Sequence, residues 1–306
     1  MSSDSGLNQP AGQRLFSIVQ NEIAVQIAVD AGDQDDIVRA ICAGTFAFPD
    51  HYYLLPALLP PGGRVLDLGA HLGTFALFAA ALGYEVLAVE ASPRNAALLT
   101  VSREANGFTN LQIEHCAVSD VSGSLDFISS GPYGIVDNPY IDGVTVSVPA
   151  RTVPQLLAAR EWESVDFIKM DIEGSEIAAL TGMGDLLAGE EAPIILYESN
   201  AHTLGLLGHT PQEATNLLVN AGYQTYHVLG RRLAAQLPDA GQPSINMECL
   251  VLKRPLADAE MDGWRVTSPL TRRETFGLIW HDLRFPHPHN RAYARRELRR
   301  RLLNLV

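Results

Sequence analysis

Val65-Leu66-Asp67-Leu68-Gly69-Ala70-His71-Leu72-Gly73 is the stretch whose reading decides the fold. A short apolar run ends in an acid, and two glycines four residues apart lead into the apolar segment Thr74 to Leu82. That is a buried strand, a tight turn and a helix. In an open parallel sheet, ligands lie beyond the carboxyl ends of the strands, where the strand order reverses. Gly69 lets a ligand approach the backbone and Gly73 permits close helix packing. A dinucleotide fingerprint would read G-x-G-x-x-G, but His71 stands where its second glycine belongs. The turn therefore suits a ligand without a pyrophosphate.

The pattern continues on both sides of this turn. Glu85 to Val89 reads as a second strand, and Glu90 ends it, where an acid typically accepts hydrogen bonds from ribose hydroxyls. Ser92-Pro93 supplies an N-cap and a first helical residue, and Asn106-Gly107 a stop. Leu111 to Cys116 is a third strand, Val165 to Met170 a fourth and Pro193 to Tyr197 a fifth. Thr152-Val153-Pro154-Gln155 and Thr210-Pro211-Gln212-Glu213 have the spacing of capping boxes. Tyr223–Leu229 and Glu248–Leu252 read as a last, antiparallel pair at one edge. Strands alternating with helices at this spacing predict an α/β, doubly wound, mostly parallel sheet with helices on both faces. Gly123 to Ala150 is an insertion of two β-prone segments around the Gly/Pro/Tyr-rich stretch Gly131–Gly143. Its Tyr133 and Tyr140 offer flat faces for a sugar ring.

Composition bounds the answer. The 306 residues are 47% hydrophobic and 19% charged, which excludes a disordered, collagenous or small disulfide-stapled chain. Cys42, Cys116 and Cys249 are far apart and form no metal or disulfide pattern, consistent with a cytoplasmic setting. No leader is legible at the N-terminus and no run is long enough to span a bilayer. The net charge is −13, but Arg272 to Val306 carries nine arginines against three acids, a local +6 that leaves −19 on the remainder. An acidic body is a poor binder of nucleic acid, so no nucleic-acid partner is expected, and only the arginine-rich tail could serve one. The histidines and prolines of Trp280–His289 read as a rigid, extended segment. Ala294, Leu298, Leu302 and Leu305 form an apolar helical stripe suited to a lid or a homodimer contact.

A second chemical motif is Asp166-Phe167-Ile168-Lys169-Met170-Asp171-Ile172-Glu173-Gly174-Ser175-Glu176. Asp171 stands at the carboxyl end of the fourth strand, beside the expected cleft. Lys169 shares its pleat face and could pair with it. Glu173 and Glu176 open the next helix, where acids suit the helix dipole.

Together GAHLG, AVEASP, HCAVSD, DFIKMDIEGSE and ILYESN resemble the FkbM family of S-adenosylmethionine-dependent methyltransferases. The resemblance runs from about Arg64 to Lys253. It implies a class I methyltransferase, Rossmann-like sheet of seven strands. The implied organisation is an N-terminal cover over 1–60, a cofactor-binding domain over 61–254 and an arginine-rich extension over 255–306. By the same resemblance, Asp67, Gly69, Ala70, His71 and Gly73 would hold the methionine end, Glu90 and Ala91 the ribose, and Ala117, Val118 and Ser119 the adenine. Such enzymes mostly methylate hydroxyls of sugars or polyketide-type metabolites, and some methylate nitrogen. A hydroxyl needs a base or a metal at neutral pH. Either Asp171, Glu198 and Asn200 bind Mg²⁺, whose preference is for oxygen ligands, or His202 or Asp171 is the direct base, with Lys169 beside it. Glu173, Tyr133 and Tyr140 are the expected acceptor contacts.

Overall fold

The computed structural model describes residues 12–130, 133–136, 144–237, 240–256, 261, 263–284 and 288–303. It begins with an antiparallel hairpin, β1 (Gln13–Gln20) and β2 (Ile23–Asp30). Ile23, Val25 and Ile27 alternate inward along β2, as their period-2 spacing predicts. Two short helices follow, α1 (Asp36–Cys42) and α2 (Leu54–Leu58). Then the strand–helix alternation starts: β3 (Arg64–Leu68), α3 (Thr74–Ala81), β4 (Glu85–Glu90), α4 (Pro93–Asn106) and β5 (Leu111–His115). The insertion contributes β6 (Ala117–Val118), β7 (Gly123–Ser130), β8 (Tyr133–Val136) and β9 (Val144–Arg151). These four form a separate sheet in the order β6-β9-β7-β8.

The remaining elements are α5 (Val153–Ala158), β10 (Phe167–Met170), α6 (Glu176–Met183), β11 (Ile194–Asn200), α7 (Ala201–Leu206), α8 (Pro211–Asn220), β12 (Gln224–Leu229), β13 (Arg232–Ala235), β14 (Asn246–Leu252), β15 (Arg265–Thr267), α9 (Arg272–Arg284) and α10 (Pro288–Leu303). The main sheet has the order β15-β13-β12-β14-β11-β10-β3-β4-β5. From β11 to β5 its neighbours are parallel, whereas β14 runs antiparallel to both β11 and β12. The chain winds outward from β3 through β4 to β5 and then returns to the other side of β3 with β10. The order therefore reverses between β3 and β10, where Asp67 lies opposite Lys169.

Helix α3 is apolar all round, and seven of its eight residues are buried. It needs cover on its outer side, and the N-terminal segment provides it. Phe48 and Tyr53 each lie 5.2 Å from the Phe78 ring, and Tyr52 lies 5.0 Å from Phe75. On the opposite face α5, α6 and α8 bury a second core with Leu66, Ile168 and Ile195.

Local signals are met in part. Thr152 and Gln155 form a complete capping box. Thr210 does not, since its hydroxyl donates to the Glu213 carboxylate at 3.0 Å and caps no backbone amide. The sheet has nine strands instead of seven, because β13 and β15 extend it beyond β12, so β12 and β14 do not form its edge. Trp280–Arg284 is not extended but closes α9, and Pro288 opens α10, a first-turn position that proline tolerates. Of the apolar stripe, Ala294 is buried and Leu298 half-buried, while Leu305 and the side chain of Leu302 lie outside the described residues. Among the described residues no helix is long and apolar enough to cross a membrane.

Candidate active site

The turn after β3 lies against two neighbouring backbones. Gly69 has φ +78°, and its amide donates to the Val89 carbonyl at 2.9 Å. A Cβ on Gly69 would fall 1.8 Å from the Asp171 carbonyl oxygen, so no other residue fits without moving the strand. Gly73, at φ +84°, is the N-cap of α3 and packs on Leu99. Beyond these strand ends opens a cleft, at the place where ligands bind in open sheets of this kind. Of the expected cofactor residues, Asp67, Gly69, Ala70, His71, Glu90, Ala91, Ala117 and Val118 line it. Gly73 and Ser119 do not. Ser119 is instead tied by its amide to the Arg151 carbonyl and by its hydroxyl to Asp120.

Several titratable groups set the field in the cleft. Asp67 is fully buried, and among the described residues neither carboxylate oxygen has a hydrogen-bond partner. The Ala76 amide in the first turn of α3 faces it, outside hydrogen-bond geometry. Burial, followed by the Asp171 and Glu90 carboxylates, pushes its pKa up to about 6 against the pull of Lys169. Glu90 accepts from the His71 amide on one oxygen and the Ser92 amide on the other, both at 2.7 Å, and so joins the turn to the start of α4. Burial raises its pKa, with these donors opposing. Lys169 donates to Asp171 at 3.1 Å. Burial works against both ions, but each holds the other charged, so Lys169 is raised and Asp171 lowered.

Next to Asp171 the acids crowd together. Oxygens of Asp171, Glu173 and Glu198 lie within 4.8 Å of one another. Glu173 sits at φ +51°, a left-handed turn that brings it back over the strand end. Burial, then Asp171 and Glu176, raises it to about 7. Burial, then Asp171 and Glu248, raises Glu198 well above its ordinary range. Glu198 also accepts from the side-chain Nδ2 of Asn246, and Glu248 stands opposite it in the β11–β14 ladder. His51 approaches Glu248 at 3.8 Å. Glu176 is structural, because one of its oxygens accepts from the Ile172 and Gly174 amides.

The Asn200 side-chain oxygen caps α7 by accepting from the His202 amide at 3.0 Å, and Glu173 stands with Asp171 and Glu198 in the acid cluster. His202 lies in α7 and not on a loop, and is not among the cleft-lining residues. Tyr140 lies outside the described residues; Tyr133 opens β8, its side chain likewise undescribed. The sequence reading missed Asp35, Ile37 and Tyr52, which bring the N-terminal segment to the cleft, and Phe127 of β7.

A family model for the methyltransferase FkbM domain matches residues 67–225, slightly more than half of the chain. The chain belongs to the FkbM family of S-adenosylmethionine-dependent methyltransferases. Among curated proteins, a 23S rRNA (uracil(1939)-C(5))-methyltransferase of Shewanella sp. (strain ANA-3) is 30% identical over 153 residues. That stretch is 50% of this chain but only 30% of the relative, and the strain MR-7 protein matches equally. Among solved structures, a precorrin-6y C5,15-methyltransferase from Geobacter metallireducens is 10% identical with a TM-score of 0.39, over 67% of this chain and 86% of that one. A TehB-like S-adenosylmethionine-dependent methyltransferase from Corynebacterium glutamicum is 13% identical with a TM-score of 0.40, over 71% and 94%.

Proposed function

We propose that this FkbM-family protein methylates a hydroxyl of a sugar or a comparable polyhydroxylated metabolite, with S-adenosylmethionine as donor and a divalent cation such as Mg²⁺ at the acceptor. The cofactor, when bound, supplies an electrophilic methyl on a sulfonium. The residues present fit it. The unpartnered, buried Asp67 suits an ammonium, and Gly69 leaves room that a Cβ would fill. Glu90 retains lone pairs for ribose hydroxyls beyond its two amide bonds, and Ala117 and Val118 offer an apolar seat for adenine.

The observation that carries the acceptor reading is the convergence of Asp171, Glu173 and Glu198. Three carboxylates this close cannot all ionise, as the upward shifts of Glu173 and Glu198 reflect. A divalent cation would replace the retained protons, hold the acceptor hydroxyl and make it easier to deprotonate. The same surplus of acid supports a second reading, in which the acceptor brings its own cation and an amine or guanidine nitrogen is methylated. A phosphate-rich acceptor such as the rRNA named for the curated relatives would be repelled by these acids. The cytoplasmic location and the homodimer expected from the sequence remain part of this proposal.

The test is release of S-adenosylhomocysteine from a panel of saccharides, hydroxylated metabolites and amines, with and without chelator. The expected result is turnover of a hydroxyl acceptor that chelator abolishes and Mg²⁺ restores. Full turnover in chelator would replace the metal with direct base catalysis at Asp171. Turnover of amines alone would establish nitrogen as the target.

A further inference from the structure

The family match begins at residue 67, yet the N-terminal segment before it supplies part of the cleft wall through Asp35, Ile37 and Tyr52. Tyr52 is fixed there by a 2.8 Å hydrogen bond between its hydroxyl and that of Thr74. We propose that Asp35 of this segment and His71 of the glycine turn together make a cation site for the carboxylate at the amino-acid end of the cofactor. This inference rests on the S-adenosylmethionine reading of the cleft.

His71 is a non-glycine residue at φ +54°, a conformation that carries a conformational cost unless its surroundings enforce it. Glu90 enforces it by accepting from the His71 amide. The imidazole then lines the cleft, with Nε2 3.4 Å from Oδ2 of Asp35. Asp35 is 3% exposed, and its two oxygens divide the work. Oδ1 caps α1 by accepting from the Ile37 and Val38 amides at 2.5 and 3.0 Å, which leaves Oδ2 for His71. Nδ1 of His71 has no partner among the described residues.

Burial alone would strip the proton from His71. Asp35, then Glu90 and Asp171, reverse that and hold the imidazole above its ordinary pKa, while Glu173 also faces it. Asp35 is held below its own ordinary range despite burial, with His71 the main opposing cause. Among the described residues, the other basic side chain lining the cleft is Lys169, and it is committed to Asp171. The cleft thus presents an unpartnered carboxylate at Asp67 and, at His71, an imidazole ring backed by the buried Asp35 carboxylate. That is the complement of a free α-amino acid, whose ammonium and carboxylate need one group of each sign.

The experiment compares two ligands by isothermal titration. S-adenosylhomocysteine carries the amino-acid end, and 5′-methylthioadenosine lacks it. The variants are Asp35→Asn, which keeps a capping side chain for α1, and His71→Asn, whose side chain tolerates the left-handed backbone. Each should weaken S-adenosylhomocysteine roughly 10- to 100-fold, the range expected for a charge-assisted hydrogen bond. Each should also leave 5′-methylthioadenosine within about twofold, and the double variant should lose little beyond either single one, as for residues acting as a pair. Thermal melts of the variants confirm that they fold. Equal losses for both ligands, or no loss for either, would overturn the cation site while leaving the cofactor reading intact. A parent protein that binds neither ligand would overturn the cofactor reading itself, and the cation site with it.

Discussion

Asp67→Asn tests the cleft at its least satisfied atom. In the unfolded chain this carboxyl titrates near 3.8, and in the fold near 6, because burial and then the Asp171 and Glu90 charges oppose ionisation more than Lys169 assists it. The folded pKa of this acid lies above its unfolded value. Between about pH 4 and 6 the folded chain retains a proton that the unfolded chain has lost, so stability falls as pH rises through that window. The full cost, on the order of 3 kcal/mol, is in place at neutral pH. Asparagine does not ionise. The stability of Asp67→Asn relative to the parent should therefore improve by about 1–2 kcal/mol between pH 5 and 7.5, a difference of a few degrees in Tm for a chain of this size. Saturating S-adenosylhomocysteine should offset the gap by supplying an ammonium. The gain in Tm from ligand should then grow with pH in the parent and stay level in the variant. Thermal melts across a buffer series, with and without ligand, measure both effects. Parallel pH profiles for the two proteins would refute the reasoning, since Asp67 would then be either solvated or already partnered.

Two further outcomes follow from the same turn. Glu90→Ala removes the acceptor for both the His71 and Ser92 amides, so a stability loss of about 1–3 kcal/mol and at least tenfold weaker S-adenosylhomocysteine binding are expected; unchanged affinity by titration would reject any role for Glu90 at the ribose. Gly69→Ala and Gly107→Ala both place a side chain at positive φ, but a Cβ at Gly107 meets nothing within 4 Å. Gly107→Ala should cost about 1–2 kcal/mol in a urea melt and Gly69→Ala clearly more, whereas equal losses would mean that the strand end yields freely.

What the sequence made legible was local. The β3–turn–α3 unit could be read because an apolar run, an acid and two spaced glycines all point to one structure. The Lys169–Asp171 pair followed from the two-residue period of a strand, and the Thr152 capping box from its spacing. Asp35 could not be read in the same way. It meets His71 only because the β1–β2 hairpin packs over α3, and no periodicity in either segment records that contact. The cap at Asn200 and the turn at Glu173 have equally local causes that composition conceals. A helix begins directly after Asn200 and takes its side chain as a cap, while a left-handed backbone at Glu173 turns a residue of ordinary helix-start character toward the acids.

The acids at the ends of β10, β11 and β14 are poorly placed for the stability of the empty fold. Glu198 and Glu248 are paired directly across an antiparallel ladder, where like charges are destabilising. Burial and then the Asp171 carboxylate raise both, Glu248 to about 7, and Glu248 adds to the shift of Glu198. Neighbouring donors relieve only part of this. Asn246 satisfies one oxygen of Glu198, His51 stands 3.8 Å from Glu248, and Lys169 is occupied by Asp171. His51 does not add a compensating charge, because burial and then Lys169 lower its pKa to about 4 and leave it neutral at pH 7. A sheet selected only for stability would place an apolar or oppositely charged residue at one of these two positions. Retaining both acids beside Asp171 is the kind of local conflict that folds carry at functional sites. A cation of the kind proposed, whether a metal or a charged acceptor, would relieve it.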